Sequence, residues 1–453
     1  MITSIVLGAG IGKRMHSKLP KVLHKICGRE LIFYAIDAVK QISDGGVIVV
    51  INEKMDANLF SDYSVRIQKE PLGTADAVKV AISDLDTDIA LITTGDNPLL
   101  EPNDILEFYK FFKETNSDIA FISAEADNPS NLGRVIKSEG KFIKIVEEAD
   151  ASDEEKKIKE INVGVYFAKF SILKNLIQKI SNKNAQGEYY LTDILYKALE
   201  EKFNVSVYKL PKKLPIYGVN NRIELSMAEE IIQKKIIEKH MLNGVTIHNP
   251  QTQKIDYSVE IGEDVELLPG CILEGKTKIE SDCIIGPYTQ IINSHISKKS
   301  SVKQSVVIES YVGENCSIGP FAYVRPENIL SNNVKIGTFV EVKKSHFGEN
   351  TKVPHLSYIG DATVGKNVNI GAGTITCNYS GLEGNKKNPT YIEDEVFIGS
   401  HSTLVAPLII RKGAYTAAGS VITDEVEEDS LAIGRARQVN KVGWVKRRKE
   451  QNG

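Results

Sequence analysis

Two periods of apolar residues divide this chain. Up to about residue 220, short apolar runs of β type, SIVL (4–7), VIVVI (47–51), DIALIT (88–93) and DIAFIS (118–123), alternate with helical patterns at 30–42, 74–85 and 102–115. Runs that are apolar at every position suit strands covered on both faces. This half therefore predicts an α/β domain with a Rossmann-like, mostly parallel sheet, whose ligands gather at the carboxyl ends of its strands.

From Asn221 to Leu242 the pattern becomes helical and highly charged, with apolar residues at 225, 228, 232 and 236. A connecting helix is the simplest reading, and the segment is short for a dimerising coiled coil. After it the period changes to six. Ile261, Leu267, Leu273, Ile279, Ile285 and Ile291 form one series, Ile318, Val324, Leu330, Ile336 and Val342 a second, and Ile392, Ile398, Leu404, Ile410 and Thr416 a third. A repeat of six, with Gly often following the apolar residue, predicts a parallel β-helix in which each sixth side chain points inward. Steps of five near Phe347 and Val364, and the aperiodic stretch 377–391, break the rhythm and mark places where loops are expected to leave the coil.

A length of 453 residues exceeds one ordinary core. The 56 basic and 59 acidic residues nearly cancel, which gives no electrostatic case for nucleic acid or an anionic membrane as partner and favours small-molecule work. The N-terminus lacks the form of an export signal, and no window approaches the roughly 20 apolar residues of a membrane span. Five scattered cysteines with no C-x-x-C pair fit a reducing compartment and argue against zinc. The cytoplasm is the expected location.

The first half carries two candidate sites of phosphate chemistry. LGAGIGKRM (7–15) follows the first strand, and its glycines let backbone N–H groups approach a phosphate while Lys13, Arg14 and Lys21 add positive charge. It fits neither Walker A nor the dinucleotide fingerprint. TTGDNPLL (93–100) puts Asp96 past the end of a strand, where a carboxylate can hold the metal of a nucleoside triphosphate. Each also has a plain reading, as a Gly-rich turn and as a turn-capping aspartate. In the second half, Arg325 and Lys343 are 18 residues apart, one coil if three hexads make a turn. Each occupies the position after the inward residue. Two stacked cations repel unless an anion lies between them, and a sugar phosphate would supply one.

With LPKVLHKICGR (19–29), GTADA (73–77) and TTGD, the glycine loop resembles the sugar-phosphate nucleotidylyltransferases, with Gly8 at an Ala position and Lys13 at a Thr position. QKEPLGTADA (68–77), LGRV (132–135), VEEADAS (146–152), EINVGVY (160–166), NAQGEYYLTDI (184–194) and GVNNR (218–222) extend the match. Over nearly the whole chain it resembles the bacterial bifunctional enzymes that acetylate glucosamine-1-phosphate and then uridylylate the product to UDP-N-acetylglucosamine.

The resemblance implies that Leu7, Gly8, Ala9, Gly10, Lys21, Gln68, Gly73, Thr74 and Asn220 bind the nucleotide side, and Gly133, Glu147 and Asn162 the acetylated sugar. Asp96 and Asn220 would share Mg²⁺, with Lys21 and Arg14 as catalytic cations. Leu132 and Val163 stand where an aromatic and a Thr are common. Glucosamine-1-phosphate would be held by Arg325, Lys343, Tyr358 and Asn369, with His355 as general base, a task suited to imidazole. Acetyl-coenzyme A would be held by Ala372, Asn378, Tyr379, Ser400, Ala418 and Arg435. An acyl-Cys377 route is the rival chemistry, though no basic neighbour favours its thiolate. The implied layout is a uridylyltransferase at 1–222, a linker helix at 223–243 and a left-handed β-helix acetyltransferase at 244–453, assembled as a homotrimer. The alternatives are a monofunctional nucleotidylyltransferase with a structural coil and a non-catalytic scaffold.

Overall fold

The computed structural model describes residues 1–381 and 384–451, and the chain divides into two compact units, residues 1–233 and 234 onward. The first is built on a sheet in the order Val205–Lys209, Ile119–Glu125, Glu160–Lys169, Ile89–Thr94, Ile2–Leu7, Val47–Asn52, Ser64–Gln68. The four strands from Ile89–Thr94 to Ser64–Gln68 are parallel. Glu160–Lys169 runs antiparallel to both of its neighbours in this order and to Arg134–Ser138 of a short hairpin whose second strand, Lys141–Val146, is also reversed, so the mostly parallel sheet has two reversed strands.

Alternation along the strands sends side chains to opposite faces. Val6, Val49 and Leu91 pack with Ile32 and Ile36 of helix Leu31–Lys40 and with Phe108 and Phe112 of helix Pro102–Glu114. Ile5, Val50 and Ile92 pack on the other face with Ala77 and Val78 of helix Thr74–Ala81 and with Ile194 and Leu195 of helix Asp193–Glu200. Burial on both faces explains why every residue of Ile2–Leu7 is apolar or small, and all six are buried.

The helix Arg222–Leu242 buries Ala228, Ile232 and Ile236 of the stripe its pattern predicts, with Leu225 only half-buried, and the division between the units falls within it. Among the described residues, no helix is long and apolar enough to cross a membrane.

The second unit is a parallel β-helix with three faces, its short strands forming sheets of 11, 10 and 9 strands. Leu267 pairs with Ile285, Ile285 with Val302 and Val302 with Ile318, so a coil takes 16 to 18 residues. The inward series is buried as predicted, except that Ile261 at the first coils is only half-buried. The steps of five release no loop. Phe347 and Val364 are buried and keep register with the coil before them, because a corner absorbs the missing residue.

Most corners are turned by a residue with positive φ. One column runs Tyr288, Gln304, Phe321, Phe339, Leu356, and another Asn293, Glu309, Glu327, Lys344, Asp361. Glycine just after the inward residue has a different cause, close approach of the next coil. A Cβ on Gly371 would lie 2.6 Å from Ser400 N, and one on Gly399 would lie 2.5 Å from Thr416 O.

Two candidate active sites

In the first unit the glycine loop begins where Gly8 N–H donates to Val50 O at 2.8 Å. A side chain on Gly8 would press into Ile32 Cδ1 at 2.7 Å, so its role is packing, whereas Gly10 faces open space and leaves its backbone accessible. Gly12 has φ 67°, and a Cβ there would lie 2.5 Å from Lys21 Cβ. The loop thus seats the lysine.

Four residues drawn from separate motifs meet at the strand ends. Lys21 Nζ donates to Asp96 Oδ2 and, at 3.1 Å, to Asn220 Oδ1, which also accepts from Arg14 Nη2 at 3.0 Å. Asp96 O accepts Val219 N–H at 2.9 Å, tying the GVNN segment to the strand end. Burial pushes the Asp96 carboxyl up, but the Lys21 ammonium and a hydrogen bond from Thr94 outweigh it and hold Asp96 below its ordinary value. Sequence reasoning passed over Glu224. Its carboxylate accepts Asn220 N–H at 2.6 Å and Asn221 Nδ2 at 2.8 Å, fixing the amide that gathers the two cations. The acid three residues into a helix that begins after Asn221 was its signal.

Gln68 is buried and donates to Gly73 O at 3.1 Å and Asp76 Oδ2 at 2.8 Å. Gly73 has φ 119° and passes so close to Tyr189 that a Cβ would lie 2.5 Å from its carbonyl oxygen. Thr74 Oγ1 accepts Leu191 N–H at 2.9 Å, which fastens the NAQGEYYLTDI segment beside it.

The Gly133 Cβ position is 3.2 and 3.3 Å from the two carboxylate oxygens of Glu147, and Gly133 O accepts Asn162 N–H at 2.9 Å. Asn162 lies at a register shift in the reversed strand Glu160–Lys169, where Gly164 adopts φ 82°. Its side chain donates to Tyr166 Oη at 2.6 Å and accepts Gly164 N–H at 3.1 Å. Burial raises Glu147 above the usual carboxylate range, and the charges of Asp193 and Asp150 push the same way against a hydrogen bond from Thr192 and the charge of Arg134. Leu132 packs against the core and Val163 is buried within it.

In the β-helix, Val324 and Val342 are in register, so Arg325 and Lys343 are neighbours in one column, as predicted. The anion between coils is partly internal. Arg325 Nη1 donates to Glu341 Oε1 at 2.8 Å, and Glu341 lies in register between Tyr323 and Tyr358. Lys343 forms no ion pair among the described residues, and its neighbour in the next coil is Gly360. A Cβ on Gly360 would overlap Tyr358 Oη and lie 2.7 Å from Asn378 Nδ2. Asn378 donates to Tyr358 Oη at 3.3 Å and Asp361 Oδ2 at 2.6 Å.

His355 is exposed, and among the described residues its ring has no hydrogen-bond partner. It pairs with Thr338 at the end of strand Lys352–His355. The registers Lys352 with Asn369, Ile370 with Ile398 and Ile398 with Thr416 place Ala372, Ser400 and Ala418 in the same corner column. The proposed base thus heads the strip of proposed coenzyme contacts, and the Arg435 Cδ lies 3.7 Å from the Cβ position of Gly419 at its far end. Asn378 and Tyr379 lie at the other end of the strand Ile375–Cys377, where the 377–391 loop departs. Tyr379 is exposed, with Lys387 Nζ 3.6 Å from its ring centre. Two residues of the loop tip, 382 and 383, lie outside the described residues. Asn369 is not brought to Tyr358, since it stands on another sheet between Lys352 and Phe397.

Family models divide the chain the same way. A MobA-like NTP transferase domain matches residues 4–160, a GMPPB C-terminal domain matches 255–345, and a hexapeptide repeat of succinyl-transferase matches 389–424. Proteins described as "Bifunctional protein GlmU" match it end to end. That of Caldanaerobacter subterraneus subsp. tengcongensis is 46% identical over 99% of this chain and 98% of its own, and that of Thermosipho africanus 47% over the same shares. The Clostridioides difficile protein is 42% identical with equal coverage. The chain belongs to the GlmU family.

As a family member it is a bifunctional transferase, with uridylyl transfer in the nucleotidyltransferase fold and acetyl transfer in the left-handed β-helix. Both parts of the relatives are present here, so the coil is an enzyme domain and not merely a structural appendage.

Proposed function

We propose that the corner column and the face beside it acetylate glucosamine-1-phosphate, and that the site at the strand ends then transfers uridylyl from UTP to the product, releasing pyrophosphate. The convergence of Arg14, Lys21, Asp96 and Asn220 from three distant segments carries the second assignment. The register that puts His355 at the head of the small-residue column carries the first.

For acetyl transfer, Lys343 and Arg325 take the sugar phosphate, which exchanges places with Glu341 on Arg325. Tyr358 and Asn369 hold the sugar. His355 removes the proton from the attacking amine as the tetrahedral intermediate forms, and collapse of the intermediate breaks the thioester C–S bond and releases coenzyme A as its thiol. Ala372, Ser400, Ala418 and Arg435 line one edge of the coenzyme path, and Asn378 and Tyr379 the other.

For uridylyl transfer, a phosphate oxygen of N-acetylglucosamine-1-phosphate attacks the α-phosphorus of UTP, and no protein nucleophile is needed. The chain aligns the reactants and neutralises charge. Gln68, Gly73 and Thr74 hold uracil and ribose, residues 7–10 the phosphates, and Gly133, Glu147 and Asn162 the acetylated sugar. Asp96 and Asn220 offer hard oxygen donors that already converge on one cation, the Lys21 ammonium, so they fit Mg²⁺ completed by substrate phosphates. When bound, that ion would neutralise triphosphate charge. Lys21 and Arg14 would add their positive charge to the same phosphates.

We place the working parts at 1–222, 223–243 and 244–453, with Glu224 of the first helical turn serving the first. A homotrimer through the β-helix is supported by the exposed ridge of Tyr288, Phe321, Phe339 and Leu356, and by the need to bring Asn369 to another Tyr358. The cytoplasm is the proposed compartment, consistent with cysteines that form no disulfide among the described residues.

The test supplies the full chain with glucosamine-1-phosphate, acetyl-coenzyme A and UTP, with and without EDTA. UDP-N-acetylglucosamine should form without chelator, and N-acetylglucosamine-1-phosphate should accumulate with it. Uridylyl transfer that persists in EDTA would overturn the Mg²⁺ assignment.

A further inference from the structure

Arg134 is among the largest fully buried side chains of the molecule, at 1% exposure. It begins strand Arg134–Ser138, one residue after Gly133 and opposite Val146 in the hairpin, so it lies buried beside the Gly133–Glu147 pair. Its guanidinium joins the two sides of the hairpin. Nη1 donates to Leu132 O, and Nη2 donates at 2.5 Å to Glu148 Oε2, which also accepts Asn131 N–H at 3.1 Å. Asn131 adopts the left-handed region that Asn tolerates, and its N–H is held there by the Glu148 carboxylate. Gly133 and Glu147, the facing pair of the pocket, are each flanked by residues in this clamp.

A buried cation is a weak device for stability. Desolvating it is costly, and apolar side chains of similar volume commonly do as well or better. What an apolar residue cannot do is fork between a carbonyl and a carboxylate, or place positive charge beside Glu147. The other charged and titratable groups facing Glu147 are Asp150 and Asp193, with Tyr166 and Tyr190 nearby. Thr192 donates to its Oε1 at 3.2 Å.

We propose that Arg134 is a positioning residue for the acetylated-sugar pocket, acting through its clamp on Leu132 and Glu148 to set the spacing of Gly133 and Glu147. This rests on the reading that Gly133, Glu147 and Asn162 hold the sugar.

The test is steady-state uridylyl transfer by the full chain, varying N-acetylglucosamine-1-phosphate and UTP in turn, with KM for UTP and the melting temperature of the same preparations as the folding control. Arg134→Met should raise KM for the sugar phosphate about tenfold and leave KM for UTP within about twofold, the loss expected when hydrogen bonds to a charged group are removed. Arg134→Lys keeps the charge without the fork and should fall between. In the pH profile, the inflection due to Glu147 should move to higher pH in Arg134→Met and stay in place in Arg134→Lys. Where Arg134→Met does not fold, Glu148→Gln should give the same selective rise in KM, about threefold. Equal rises in both KM values, or a lower melting temperature with both unchanged, would make Arg134 structural only. A Glu147→Gln chain with unaltered KM for the sugar would instead remove the pocket reading itself, and the proposal with it.

Discussion

The two sites are made in opposite ways. The uridylyl site gathers residues from positions 14, 21, 96 and 220, far apart in sequence, and they already hold one another: Lys21 grips Asp96 and Asn220, and Arg14 grips Asn220. The acetyl site draws on successive turns of one repeat; Arg325 is paired with Glu341, but two of its key groups are unengaged. Among the described residues, the His355 ring has no hydrogen-bond partner and Lys343 no ion pair. A layered α/β fold closes around its site, so cations and carboxylates must be paired before substrate arrives. A coil presents its residues on an outer surface, where water serves until a ligand comes.

The largest test of this contrast is Lys21→Met. It leaves Asp96 buried without its cation and removes charge neutralisation, so uridylyl kcat should fall by about 10²- to 10³-fold with acetyl transfer unchanged. Lys343→Ala removes an unengaged cation, so it should raise KM for glucosamine-1-phosphate about tenfold with little change in melting temperature. Glu341→Gln should lower that KM by about threefold, because phosphate no longer competes with a carboxylate for Arg325. If it raised KM, Glu341 would be a substrate contact and not a placeholder.

Gly360→Ala should reduce acetyl transfer about tenfold by displacing Tyr358 and Asn378. Uridylyl kinetics report whether the rest of the chain is intact.

Smaller still is a stability effect. Glu147 is raised chiefly by burial, with Asp193 and Asp150 adding to it, so the folded chain binds its proton more tightly than the unfolded chain does. Stability is then lost as pH rises from the unfolded pKa through the folded one. Glu147→Gln should therefore raise the melting temperature at pH 7 by a few degrees while weakening sugar binding. A lower melting temperature would contradict the assigned direction.

The smallest effect is chemical. Cys271, Cys283 and Cys316 are buried with thiols pushed up to about 11, so a thiol reagent at pH 8 should modify half-exposed Cys377 first. Acetyl transfer surviving in Cys377→Ser would remove the acyl-cysteine route.

Legibility in the sequence followed the range of the interactions. The inward column of the β-helix was readable because each member repeats the same local demand, and Arg325 and Lys343 fell into place through that register. The steps of five at Phe347 and Val364 read as interruptions, yet the coil absorbs them. The reversal of Glu160–Lys169 was hidden, since a strand buried on both faces has the same composition in either direction. Pairings such as Arg325 with Glu341 and Asn220 with Glu224 depend on where side chains meet in space, and only the family motifs pointed near them. The position of Asn369 on another sheet was invisible for a related reason: a motif names residues without saying which face each serves.

The most direct test of two independent sites in one chain is to measure both activities on Asp96→Asn and His355→Ala, each against wild type. The account predicts reciprocal loss: Asp96→Asn abolishes uridylyl transfer and keeps acetyl transfer, while His355→Ala does the reverse. A His355→Ala chain that acetylates at the wild-type rate, or either substitution reducing both activities together, would contradict it.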